Sequence, residues 1–319
     1  MARAPSSTIR LLRILVSLAL VAAIVAKVGP GRILHAARDA DPALLGLALA
    51  LGVPRFAAKI VRWRLLARRA VPSTGWPLAA SSLLVGTAGA VITPGRVGQA
   101  ASSLLFPPGN RLVLSGMALT DPLADLAIAV LLVAFQVGGP WAGTAVLAGF
   151  GFAAHAAPRI GAFLAAKGGK VRVLGEALER LDGRTLAKVA VLSAVIYGFN
   201  LVQFHFLLTA HGPAPFAAAA RSLPLIFLAV ACPITISGFG LREATAALAL
   251  ARYGIEAGIA VQASFELFLI NLLLPGLIGA LLAGRLGIRL RPRLATASEE
   301  SPKPGDRAPA DHAQPGSFG

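Results

Sequence analysis

One cysteine, Cys232, occurs in the whole chain, so an intrachain disulfide is impossible and a cysteine-based metal site is not encoded. Charge is equally scarce. Asp, Glu, Lys and Arg make up 14% of residues, where a soluble domain carries about 25%. Acids are the rarer sign, 14 against 30 Lys and Arg, for a net charge of +16. The five histidines, His35, His155, His205, His211 and His312, are scattered without metal-ligand spacing. No Gly-x-x-x-x-Gly-Lys-Ser/Thr loop is present, so ATP hydrolysis is not encoded, and no Gly-x-Ser-x-Gly nucleophile elbow appears. The sequence thus predicts no catalytic residues, no metal and no cofactor; it favours a non-enzyme and leaves an enzyme or enzyme subunit acting on membrane lipids as the rival.

What the chain has in excess is apolar residues: 56% are hydrophobic and the mean hydropathy is +0.74. Several runs approach the roughly 20 residues that cross a bilayer. Spanning helices are predicted over 11–28, 43–60, 113–137, 141–157, 186–210 and 259–283. Arg10 and Arg13 precede the first run, and the many later runs favour a retained helix over a cleaved signal. Arg55 and Lys59 are expected to snorkel from the second. A short amphipathic helix on the membrane surface is expected over 171–181. The basic residues sit between apolar runs, as in cytoplasmic loops, which argues against a nucleic-acid partner.

Two further apolar stretches, 77–105 and 223–252, break in the middle. The first break reads Ala90-Val91-Ile92-Thr93-Pro94-Gly95-Arg96-Val97-Gly98-Gln99. The second reads Pro233-Ile234-Thr235-Ile236-Ser237-Gly238-Phe239-Gly240-Leu241-Arg242-Glu243. Broken backbone at membrane depth survives only where protein or a water-filled cavity satisfies it, and paired breaks in corresponding halves point to a transporter's binding site. The basic block Arg55, Lys59, Arg62, Arg64, Arg68 and Arg69, the stretch 159–188 and the residues after 285 should all be cytoplasmic. That parity holds if each broken stretch is a re-entrant hairpin. The predicted fold is an all-α polytopic membrane protein. It has about six spanning helices, two broken hairpins, an inverted-topology repeat and both termini inside. Its parts are a cytoplasmic N-terminus (1–10), a transmembrane domain (11–285) and a basic, then disordered, cytoplasmic tail (286–319).

Ionisable residues inside a membrane cost about 2.5–3.5 kcal/mol each at a helix centre and are functional candidates by default. Asp121 and Asp125 share one helical face; they either handle substrate or pair with an arginine. Arg242 and Glu243 follow a Gly-Phe-Gly turn. Either Arg242 grips a phosphate while Glu243 orients it or carries a proton, with Ser237, Gly238 and Gly240 shaping the loop, or the two form a local ion pair capping a helix. Arg96 and Gln99 are the counterpart in the first break. Glu266 interrupts the last helix, with Asn271. Tyr197, Asn200 and Gln203 form a polar strip more consistent with interhelical glue. Arg55, Lys59, Arg62 and Arg69 lie on one helical face, as a lipid-phosphate site or a topology signal. Gly276, Ala280 and Gly284 offer small-residue packing, within or between chains.

Arg62-Trp63-Arg64-Leu65-Leu66, the Pro94–Gly98 break and the Pro233–Glu243 motif come in an order that resembles the flippase-like membrane region of lysylphosphatidylglycerol synthases. The resemblance covers about 11–285. It implies a multi-pass protein of the bacterial plasma (inner) membrane that translocates a lipid or lipid-linked headgroup. The alternative is a membrane partner of a lipid-modifying, lipid-synthesis or glycosyl-transferring enzyme. Arg62, Trp63 and Arg64 would meet headgroups at the interface. An aminoacyltransferase domain is not expected in so short a tail, so lipid aminoacylation by this chain is not implied. Two departures stand out. The family's usual acid is Gln99 here, with no nearby arginine after it, and its Glu-Arg pair reads Asp121-Pro122. This paired change counts against the headgroup of the lysyl-lipid members.

Overall fold

A computed structural model describes residues 40–93, 95–167, 172–232, 234–235 and 237–288. The expected first helix (11–28), the tail beyond 288, and Pro94, Pro233 and Ile236 of the two breaks lie outside the described residues. Within the described residues the protein is helical, without strands. Four stretches are long and apolar enough to cross a membrane: Pro42–Ala67, Pro108–Lys167, Gly183–His211 and Ala257–Arg285. The chain is an all-α polytopic membrane protein.

Helix α1 (Pro42–Ala67) begins where Asp41 accepts hydrogen bonds from the N–H groups of Ala43 and Leu44, and Pro42 has no N–H to orphan. Its outer face is apolar, with Leu47, Leu49 and Val53 exposed, as suits lipid. Arg55, Lys59 and Arg62, spaced four and three apart, share the opposite face and are buried. Arg55 and Lys59 therefore do not snorkel; they turn into the protein.

Helix α2 (Trp76–Val91) is followed by a turn that includes residues 92–93 and 95–96 and by a 3-10 helix (Val97–Leu105) that folds back along it. Glycine makes the return possible. A Cβ on Gly98 would lie 2.0 Å from the carbonyl oxygen of Gly89. Thr93 locks the turn: its hydroxyl donates to Gly89 O and accepts from the N–H of Gly98 at 2.7 Å. The first broken stretch is thus a hairpin in shape. Helix α3 (Arg111–Lys167) runs 57 residues in two arms. They meet at Gly139, whose φ of 68° no helix contains, ahead of Pro140, which has no N–H to continue the ladder.

Helix α4 (Arg172–Glu179) is a short helix within the expected 171–181 stretch. It packs on the second arm of α3, where a Cβ on Gly175 would meet Ala165 N at 2.4 Å. Ala177 and Leu181 are fully buried among Trp63, Leu66, Met117 and other core side chains. Helix α5 (Gly183–His211) follows, capped by Asp182. Helix α6 (Phe216–Ala231), a turn through 240 and α7 (Leu241–Ala251) make the second hairpin. Helix α8 (Ala257–Phe268) passes through one π-helical stretch (Leu269–Leu273) into α9 (Leu274–Arg285). Each hairpin has its own apolar core. Trp63, Leu83, Phe106 and Met117 fill the first, and Phe204, Leu207, Leu223 and Ile226 the second.

Small residues decide where α9 sits, in a register other than the expected Gly276, Ala280 and Gly284. The contact face is Gly276, Gly279 and Ala283, all buried, while Ala280 and Gly284 face outward. A Cβ on Gly279 would fall 1.9 Å from Leu84 O of α2. Gly279→Val should therefore cost about 1–3 kcal/mol or more and lower the unfolding midpoint in detergent. Gly284→Val, in open space, should leave it unchanged.

Candidate functional site

The cations of α1 meet the carboxylates of α3 in the protein interior. Arg62, fully buried, bridges both. Its Nε donates to Asp121 Oδ1 at 2.8 Å, and its Nη1 donates to Asp125 Oδ1 and to Ser193 Oγ on α5, each at 2.7 Å. Lys59 Nζ lies 3.2 Å from Asp121 Oδ2 and 3.9 Å from Asp125 Oδ2. Asp121 is fully buried, while the Asp125 side chain keeps 16% exposure. One turn earlier, Arg55 Nε donates to the neutral Asn200 Oδ1 at 2.6 Å.

The first hairpin's tip joins this group. Arg96 Nη1 approaches Asp125 Oδ2 at 3.9 Å, too long for a hydrogen bond, and its buried Nε has no hydrogen-bond partner among the described residues. Arg96 also holds φ at +58°, a left-handed backbone unusual for a residue with a Cβ. Gln99 is buried, and its Oε1 is likewise unpartnered among the described residues.

The second tip is built alike and charged differently. Ser237 also sits left-handed, at φ +53°, and its hydroxyl donates to Ala90 O at the end of α2, so the two tips touch. Gly238 and Gly240 take the positive φ values the turn needs, 76° and 85°. Glu243 Oε2 accepts from the N–H of Gly240 at 2.8 Å, capping α7. Arg242 binds Glu243 through Nε, at 3.0 Å, and Nη2, and its guanidinium lies 4.4 Å above the Phe268 ring. The local pair that caps the helix is present, and it also holds the Arg242 guanidinium in place, as both alternatives for Arg242 and Glu243 require.

Other candidates separate from the cluster. Glu266 meets His211 Nε2 with both oxygens, at 3.0 and 2.9 Å, and accepts from Gln262 at 3.0 Å. Asn271, in the π-helical stretch, donates to Asn200 Oδ1 and Gln203 Oε1, and Gln203 donates to Ala48 O. That ladder is interhelical glue, and through Asn200 it reaches Arg55. The expected headgroup interface needs correction. Arg62 and Trp63 are wholly buried, Trp63 donating to Ser82 Oγ at 2.8 Å against the edge of Phe106. Only Arg64 sits nearer the surface, donating to Thr74 O and lying over Trp76. Arg69, on the same expected face, pairs with Asp182 instead.

Sequence reasoning missed Ser193, and it set Arg55 and Lys59 on a candidate lipid-phosphate face of their own without joining them to Asp121 and Asp125. The signal was present: Arg55, Lys59 and Arg62 on one helix complement Asp121 and Asp125 at matching spacing on another. Residues 10–279 match the family described as the lysylphosphatidylglycerol synthase TM region. The chain belongs to that family. Comparison with curated proteins finds no match.

Removing one member of a buried ion pair costs about 3–5 kcal/mol, because the stranded charge stays dehydrated. Arg62→Met should destabilise by that amount in denaturant titration. Combining it with Asp121→Asn should recover part of the loss, and a strictly additive double variant would contradict the pairing.

Proposed function

We propose that this family member moves a lipid or lipid-linked headgroup between the leaflets of the bacterial inner membrane. The headgroup phosphate would be handled by the charge cluster of Arg55, Lys59, Arg62, Arg96, Asp121 and Asp125. The observation that carries the reading is Arg96, a strained hairpin-tip arginine. It sits at the edge of a buried ionic network, with Nη1 at 3.9 Å from its nearest carboxylate and Nε unpartnered among the described residues. Strain of this kind costs about 1–3 kcal/mol and persists where the surroundings hold it, often as part of a mechanism. Intramembrane charges that face the bundle interior mark substrate pathways in transporters.

The chemistry divides among the residues. Arg62, held by both aspartates and Ser193, fixes the frame. Lys59 and Asp125 sit where a shift of Arg96 would change their pairing. A phosphate arriving at Arg96 would meet a planar guanidinium able to give two parallel hydrogen bonds. The touching tips, Ser237 on Ala90, supply a seam along which one hairpin could rock against the other.

The test is reconstitution in liposomes with a panel of tagged lipids, following movement between leaflets. Wild-type protein should speed one lipid class, and Arg96→Gln should slow it by about ten-fold or more, the equivalent of about 1.4 kcal/mol, without loss of folded protein. Equal rates in wild type and in protein-free liposomes would contradict transport and favour the enzyme-partner alternative.

A further inference from the structure

We infer that this site prefers a headgroup with two negative charges on phosphate, a phosphomonoester or a diphosphate, over zwitterionic or amine-bearing headgroups. The inference rests on the transport reading and names the substrate class of the same site. Four cations, Arg55, Lys59, Arg62 and Arg96, face two carboxylates, Asp121 and Asp125, a formal excess of two positive charges.

The pairing shows where that excess resides. Asp121 and Asp125 are taken up by Arg62 and Lys59. Arg55 is left with a neutral amide, Asn200, and Arg96 with a long 3.9 Å approach to an already shared carboxylate. Arg55 and Arg96 also repel one another across the cluster. An excess of buried charge is costly unless something compensates it. Among the described residues, Glu243 is committed to Arg242 and Gly240, and Glu266 to His211 and Gln262. Residues 1–38 contain no Asp or Glu.

A phosphate monoester brings about −1.5 to −2 charge near neutral pH with three acceptor oxygens, which suits two under-used guanidinium groups. A phosphodiester such as phosphatidylglycerol would neutralise half of the excess. A lysyl-bearing headgroup would add a cation to a site already rich in them.

The test measures ligand-induced stabilisation of the purified full-length protein in mild detergent. The probes are short-chain phosphatidic acid, diacylglycerol pyrophosphate, phosphatidylglycerol, phosphatidylcholine, lysylphosphatidylglycerol and inorganic pyrophosphate. The first two should bind about ten-fold or more tighter than phosphatidylcholine or lysylphosphatidylglycerol, and Arg96→Gln should erase most of that preference. Arg96→Lys keeps the charge and serves if the glutamine variant does not fold; it should give an intermediate loss. Equal or tighter binding of phosphatidylcholine or lysylphosphatidylglycerol would overturn the inference, and continued lipid movement in liposomes would then leave the transport reading standing. Inorganic pyrophosphate binding as tightly as the lipids would uphold the anion chemistry and overturn the lipid source. The expected preference without movement of any lipid would uphold the inference's chemistry and overturn transport.

Discussion

The guanidinium of Arg62, wholly buried between Asp121, Asp125 and Ser193, ties α1, α3 and α5 together at one point. In an apolar interior the alternative to this pairing is a bare charge, so the three helices have little freedom to separate. The rest of the first half follows from that constraint. Trp63, next along α1, is aimed the other way into Ser82 and Phe106, which seats α2 and the return of the first hairpin. The hairpin in turn brings Arg96 to the edge of the ionic cluster.

The two hairpin tips share a backbone device and differ in electrostatics. Each puts a non-glycine residue in left-handed conformation, Arg96 and Ser237, and they meet through the Ser237–Ala90 bond. At the second tip Arg242 is neutralised by the neighbouring Glu243 and covered by Phe268. At the first the cation stands almost alone. A protein that only needed to cap two helices could have neutralised both. The asymmetry leaves the less compensated cation on the first hairpin and the neutralised one on the second.

Much of this was legible in the residues. The helices, the two breaks and the bend at Gly138-Gly139-Pro140 follow from apolar run length and from what Gly and Pro cannot do. The interest of Asp121, Asp125, Arg96 and Arg242 followed from the cost of charge in a membrane. Pairing was harder, because spacing along one helix says which residues share a face and not which helix that face meets. Arg55 and Lys59 read as snorkelling residues, a lipid-phosphate face or a topology signal until α3 stood opposite them. Helix α4 read as a membrane-surface helix because its apolar face is the same whether lipid or protein covers it. Gly161 and Gly175, which let it dock on α3, carry no such meaning without the contact. The face α9 turns to its own chain was not readable for the same reason: Gly276 has small residues at both three and four positions further on, and within the chain Leu84 of α2 selects the first.

Transport of a headgroup through the charge cluster, as proposed, requires the first hairpin tip to be reached from each side of the membrane in turn. The most direct measurement is labelling of Val97→Cys, beside an intact Arg96 and in a Cys232→Ser background, with a membrane-impermeant thiol reagent applied separately to each face of oriented vesicles. Labelling from both faces, slowed by the transported lipid, is expected. Labelling from one face only, whatever lipid is present, would contradict transport through this site.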